Sequence, residues 1–287
     1  MEKQKSKIIC WFSGGVTSAV ACRLAINLFG KDKCRSIFID TGNEDDDTYR
    51  FKDDCEKWFG IPIETITGLC DKYPTIQSVW RHYKSLNVAN GAICSSVLKR
   101  DVRIKWQKEN NYKYQVFGFD IDEPKRAKAM TMNYIEARAI YPLLMHGLTK
   151  KNCIDIVLGA EIKIPRAYQL GFRNNNCLKT MCVQGGVGYW QKVRRDMPDK
   201  FEAMAEMEHE LTNLKDKPVT MLRDQSKGGG LVFLKHHPKY PNIKDISMMK
   251  GREPKPLLDC NGLGCAVNDL LDRNQTENEI NFREAKQ

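Results

Sequence analysis

Two familiar phosphate-binding signatures are missing from this 287-residue chain. No Gly-Lys-Ser/Thr closes a Walker loop, and no Gly-x-Gly-x-x-Gly marks a dinucleotide site. No uninterrupted apolar run approaches the length of a membrane span. The stretch Met1 to Lys7 lacks the apolar core of a signal peptide. The expectation is therefore a cytoplasmic protein without a membrane partner. Histidine is scarce, at five residues, and His209, His236 and His237 do not have metal-ligand spacing; His236-His237-Pro238 reads as a surface turn. The tight Cys-x-x-Cys of a zinc ribbon is absent too.

Hydrophobic residues make up 41% of the chain and charged residues 29%, which suits a globular protein of one large α/β domain, or one domain with an appendage. The net charge of +10 is unevenly placed. Residues 71–200 hold 23 Lys/Arg against 11 Asp/Glu, an excess of 12, while both flanks are near neutral. A basic middle calls for an anionic partner: nucleotide phosphates, or a nucleic acid. Eleven cysteines in a reducing compartment are buried, catalytic or metal-bound more often than paired. Cys10, Cys22, Cys34, Cys55, Cys70 and Cys153 sit singly in apolar segments and read as small core residues. Cys94, Cys177, Cys182, Cys260 and Cys265 sit in turn-like settings.

The most informative stretch runs from Lys7 to Ser18. An apolar run, Ile8 to Phe12, breaks at Ser13-Gly14-Gly15 and resumes with Val16, Ala19, Val20, Leu24 and Leu28 at helical spacing. That is a strand, a tight glycine turn and a helix start. Glycine lets the backbone approach a ligand, and the free N–H groups of a helix N-terminus attract an anion. Ser13, Gly14, Gly15, Val16, Thr17 and Ser18 are thus candidate contacts for a phosphate or pyrophosphate. A second strand, Ser36 to Ile39, ends in Asp40-Thr41-Gly42. In an open parallel sheet these three would lie beside the first loop. The acidic run Glu44 to Asp47 reads as a solvated helix start or as help in holding Mg²⁺, and Phe51, Cys55 and Trp58 stripe the helix that follows. Gly60 to Ile66 turns into a third strand, Val116 to Gly118 is a fourth, and Ala139 to Leu144 a fifth ending in proline. The alternation predicts an α/β fold with a doubly wound, mostly parallel sheet. Its core would cover residues 1–200, with a cysteine-containing extension over 201–287 packing back on it.

Ser-Gly-Gly-Val-Thr-Ser after a strand resembles the PP-loop of the adenine-nucleotide alpha-hydrolase-like superfamily. Those enzymes split ATP between its alpha and beta phosphates, or bind an adenylylated sulfate. Further elements, in order, resemble the phosphoadenylylsulfate (PAPS) reductase-like branch, in the form found in phages and mobile elements. They are Ile39-Asp40-Thr41-Gly42 with Gly60-Ile61-Pro62-Ile63, Cys94 with Lys99, Glu123 with Arg126, and Pro142-Leu143-Leu144 followed by Tyr168, Gly171, Phe172 and the cysteines. The resemblance covers roughly residues 7 to 200. It implies that Lys99 and Arg126 contact phosphate and that Cys94 is a reactive or sulfur-carrying thiol in basic surroundings (Lys99, Arg100, Arg103). It departs from the branch where Asp120 replaces an expected arginine, and where a Cys-Cys pair and a Glu-Cys-Gly-x-His tail are absent.

Cys177/Cys182 and Cys260/Cys265 are two Cys-x4-Cys pairs. Grouped thiolates suit a soft cation or a cluster, so zinc, an iron–sulfur cluster, or no metal all remain open. Relatives with a [4Fe–4S] cluster near the nucleotide make that cluster the implied cofactor, with Cys94 as a substitute ligand. The implied chemistry is adenylation: ATP with Mg²⁺ gives AMP and pyrophosphate, with sulfur then transferred from a donor protein to a tRNA, a DNA or a nucleotide. Reduction of PAPS or its unphosphorylated analogue, and a non-catalytic nucleotide-binding regulatory or defence factor, are the alternatives.

Overall fold

The structure, a computed structural model, describes residues 7–251 apart from 89, 90 and 227. Cys260 and Cys265 lie outside the described residues.

Ile8 to Phe12 are buried on both faces, the mark of a central parallel strand. This strand, β1 (Lys7–Phe12), has β2 (Cys34–Asp40) on one side, then β3 (Ile63–Thr67). Two short strands, β4 (Asn87–Val88) and β5 (Gly91–Ala92), pair with each other outside that sheet. On the other side of β1 come β6 (Tyr112–Val116) and a two-residue edge, β7 (Ala139–Ile140). All four pairings in this five-stranded sheet are parallel. The doubly wound α/β fold expected from the sequence is therefore present. Pro142 limits the last strand: it occupies the first turn of a short helix instead, where its missing N–H costs nothing.

One face of the sheet is covered by α1 (Val16–Phe29), α2 (Asp46–Phe59) and a later helix, Lys150–Gly159. α1 is buried on nearly all sides through its first three turns, whereas Leu28 in its last turn is exposed. On α2 the buried stripe is Phe51, Cys55 and Phe59; Trp58 lies at the edge, under the Arg23 guanidinium. The opposite face is thinner. Ile9, Trp11 and Ile37 pack there on Trp106, with the two indoles edge to face at 5.5 Å.

Beyond the carboxyl ends of the strands lies a second apolar cluster. It joins α3 (Ile76–Tyr83) to residues 92–98, to 167–193 and to a long helix, Pro198–Lys215, that carries Phe201, Met204 and Leu211. A three-stranded sheet of residues 222–223, 231–233 and 244–245 closes that side. Glu208 is fully buried there, accepting the Met221 and Leu234 N–H groups at 2.8 and 2.7 Å. Burial pushes its carboxyl up to about 8. Two sequence expectations fail in these regions. Cys70 is exposed rather than in the core. His237 is buried, with its ring stacked on Phe233 and edge-on to His209, because that turn folds against the long helix.

Candidate nucleotide site and the adjoining thiol cavity

The Ser13–Ser18 loop leaves β1 and enters α1 through a left-handed Gly14, at φ +82°. A Cβ there would also stand 2.6 Å from the Thr48 methyl group. Ser18 is spent on bracing this turn. Its hydroxyl donates to the Gly15 carbonyl at 2.8 Å and receives the Ser13 N–H and hydroxyl, each at 3.0 Å. The Val16 N–H donates to the Tyr168 hydroxyl at 3.3 Å. Burial pushes that phenol up to about 12, so it stays protonated. The first N–H groups of a helix have no acceptor within it, which leaves those of Gly15, Thr17 and Ser18 for a ligand. Asn175 clamps the loop from outside: its side-chain amide donates to Gly14 O (2.8 Å) and Thr48 Oγ1 (3.0 Å). Its own carbonyl oxygen is buried without a partner.

A cavity of about 500 Å³ opens over this loop, lined by Ser13, Gly15, Thr17, Ser18, Arg126 and Lys150 among others. Gly118, at the end of β6, makes the cavity possible: a Cβ there would stand 2.6 Å from Ser18 Cα and 2.7 Å from its nitrogen. Arg126 begins the helix α6 of Pro124–Asn133, pairs with Glu123 and lies 4.7 Å over the Phe119 ring. Lys150 starts its own helix, capped by Thr149, and donates to Arg173 O (3.2 Å) and to the Asn174 side chain. Burial pulls the Lys150 ammonium down while Asp120 pushes it up, with a net lowering. Asp120, where the family pattern has arginine, is buried and receives the Asp122 N–H at 3.0 Å.

A second, smaller cavity, about 90 Å³, adjoins the first, and both have Asn176 and Gln184 in their walls. Cys94, Cys177, Cys182 and Lys99 line it, with Thr41 and Trp80. Cys94 and Lys99 come from the run 93–109, where an α-turn passes through a π-helical segment, Ser96–Arg100, into the helix α5 of Asp101–Glu109. Such a bulge re-aims side chains and is frequent at functional sites. Lys99 donates to Glu44 at 3.0 Å, and Glu44 is 1% exposed. Burial works against the Lys99 charge, but the Glu44 carboxylate outweighs it and holds the ammonium above its ordinary range. All three thiols are raised by burial, Cys177 to about 12, so they are protonated at neutral pH. Trp80 Nε1 is buried beside them and faces the Cys94 sulfur.

The remaining expected residues fall around these cavities. Asp40 braces its own turn, accepting from Gly42 N (2.8 Å) and Tyr49 Oη (2.9 Å). Thr41 donates to Glu44 at 3.2 Å. The acidic run is neither solvated nor free for a metal. Glu44 holds Lys99, Asp45 caps α2 and pairs with Arg166, and Asp47 holds Arg50; only Asp46 is well exposed. Arg103 is turned away from Cys94, onto the rings of Phe117 and Tyr134. Cys94, Cys177 and Cys182 share a cavity, yet no group of three or more Cys, His, Asp or Glu among the described residues is placed to hold a metal. The described residues by themselves do not assemble a zinc or cluster site, and Cys260 and Cys265, the other two expected ligands, lie outside them.

The sequence reading gave no role to Lys150 or Asn175, took Glu44 only as part of the acidic run, and missed the spatial reason for Gly118. Only Gly118, directly after an apolar strand, carried a local signal. A parallel sheet with a phosphate-turn between its first strand and first helix, and cations beyond the strand ends, defines an α/β nucleotide-binding protein. The chain belongs to the phosphoadenosine phosphosulfate reductase domain family of the PP-loop superfamily, matched over residues 7–174, more than half its length. That family is one of nucleotide-using enzymes. The chain is also 25% identical over 210 residues to an uncharacterised protein of Methanocaldococcus jannaschii. The aligned part is 70% of this chain and 41% of the archaeal protein, so this chain spans less than half of that relative.

Proposed function

We propose that the chain adenylates an acceptor with ATP and that the activated oxygen is then exchanged for sulfur, the acceptor being a nucleic acid or a nucleotide. One observation carries the reading: the phosphate cavity and the thiol cavity are neighbours with two wall residues in common. A nucleotide-activated carbon and a thiol can therefore meet without a large movement.

ATP phosphates would lie on the N–H groups of Gly15, Thr17 and Ser18, with Arg126 and Lys150 offsetting their charge. The acceptor oxygen attacks the alpha phosphorus, its bond to the beta-bridging oxygen breaks, and pyrophosphate leaves with that electron pair. Positioning and charge neutralisation supply the rate. Mg²⁺ would arrive on the triphosphate and screen it, since the acidic run is taken up internally. The terminal sulfur of a persulfide, passed from a donor protein to Cys94, then attacks the activated carbon and displaces AMP. A second thiol of the cavity, Cys177 or Cys182, attacks the Cys94 sulfur, and the S–S bond breaks to release the thiolated acceptor. The disulfide left behind is reopened by a thiol reductant.

The test is anaerobic incubation with ATP and Mg²⁺, reading AMP and pyrophosphate with and without RNA or DNA. Release of AMP stimulated by nucleic acid is the expected result. Lys150→Ala should cut that rate about tenfold, as the loss of one phosphate-facing cation does. Failure to form AMP, with PAPS converted to sulfite instead, would overturn the proposal in favour of a sulfonucleotide reductase.

A further inference from the structure

The edge of the domain beside the phosphate cavity carries a set of cations that the fold itself does not explain. α6 holds Lys125, Arg126 and Lys128 within its first five residues and has no acid in its first turn. A helix dipole favours the opposite arrangement there. Arg126 pairs with Glu123, but Lys125 and Lys128 make no ion pair among the described residues. Arg103 of α5 is stranger. It is 7% exposed, lies 5.6 Å from the Phe117 ring and 5.0 Å from that of Tyr134, and has one long hydrogen bond, 3.4 Å to Gln107. No carboxylate among the described residues pairs with it. Apart from that one bond, the Arg103 guanidinium lies against rings, and its remaining donors have no acceptor among the described residues.

Apolar groups accompany these cations. Phe117, Phe119 and Tyr141 form a three-ring cluster, with centroids 6.2 Å (Phe117–Phe119), 5.7 Å (Phe119–Tyr141) and 6.4 Å (Phe117–Tyr141) apart. Tyr141 is tied to α6 through Ala127 O and Thr131. Near the two ends of α6, Ile121, Met132 and Ile135 are 44%, 65% and 75% exposed. Phe117, Phe119 and Arg126 also line the phosphate cavity, so this surface runs into its mouth.

We propose that the α5–α6 edge docks a single-stranded nucleic acid, with Arg103, Lys125 and Lys128 on its phosphates and unstacked bases against the apolar side chains between them. This rests on the reading of the acceptor as a nucleic acid, and it assigns the surface that delivers it. A single strand is favoured over a duplex because cations interleaved with apolar and aromatic groups suit splayed bases. A protein partner is disfavoured by Lys125 and Lys128, because lysine is depleted in protein–protein interfaces.

Fluorescence anisotropy with labelled single-stranded RNA and DNA of about 15 nucleotides, over a salt series, tests it. Lys125→Glu combined with Lys128→Glu should weaken binding at least about tenfold and reduce the salt slope by about 2. Acids at those positions suit the helix dipole, so the variant should keep its melting temperature. Arg103→Gln should weaken binding several-fold by itself. Equal affinity of wild type and the double variant, or no binding by wild type, would overturn the proposal. Stabilisation of wild type by ATP, read as a rise in melting temperature, separates the two levels. ATP stabilisation without oligonucleotide binding rejects the surface alone, whereas no stabilisation by ATP or PAPS rejects the nucleotide site as well.

Discussion

The two cavities are built on different principles. The phosphate cavity is a backbone device. Its floor is a six-residue turn whose N–H groups would do the binding, and its shape depends on Gly14, Gly118 and the Asn175 clamp. The thiol cavity is a side-chain device. Its walls come from residues 41, 76–80, 92–99 and 176–184, and its polar centre is one ion pair with a buried carboxylate. The first is wide, about 500 Å³, and the second narrow, about 90 Å³. A backbone site tolerates most side-chain changes but not a Cβ in the wrong place. A side-chain site fails when one partner of a buried pair is removed.

The sharpest way to separate them is Gly118→Ala. Its methyl group meets backbone atoms of Ser18, which cannot swing aside, so the N-terminus of α1 must shift. Nucleotide affinity measured by calorimetry should fall on the order of a hundredfold, as a displaced donor set predicts. Reactivity of the three thiols toward iodoacetamide should change little. If affinity holds, the backbone account of the phosphate cavity is wrong.

Lys99→Met addresses the other side. It leaves Glu44 buried without its cation, at a cost of about 2–3 kcal/mol in denaturant unfolding, below the usual figure for a buried pair because Lys99 is partly open to solvent. Adding Glu44→Gln should recover most of that loss. Without recovery, the ion pair is not what organises this cavity.

The mildest effect is a pH profile. Burial raises Cys94, Cys177 and Cys182, Cys177 to about 12. A raised thiol loses its proton only at higher pH, so alkylation followed by mass spectrometry should stay slow through the range where an ordinary cysteine speeds up, near pH 8–9. A normal profile at these positions would mean that the cavity is wetter than its walls suggest. Bound nucleotide should alter this profile if the cavities communicate through Asn176 and Gln184.

The same contrast separates what could be read in the chain from what could not. The strand, glycine turn and helix of Lys7 to Ser18 were legible because each is written in adjacent residues: an apolar run, two glycines, then helical spacing. The parallel sheet followed from the alternation of such units. The acidic run does start a helix, with Asp45 as its cap, but it is not solvated as expected because two of its partners are remote. Glu44 meets Lys99 from 55 positions away, and Asp45 meets Arg166 from 121. Asn175 reaches the phosphate turn across 161 residues, and Tyr168 across 152. Lys150 looked like any lysine at a helix start until Asp120 and the cavity stood around it.

The sequence by itself determined the turn chemistry, the parallel α/β plan and the family, since φ preferences and periodic burial act over a few neighbouring residues. The tertiary structure alone decided which charges are paired and which thiols share a space. It also left Arg103 among rings and, among the described residues, without a carboxylate. Those outcomes depend on desolvation and on distances between side chains that the chain brings together only once it has folded.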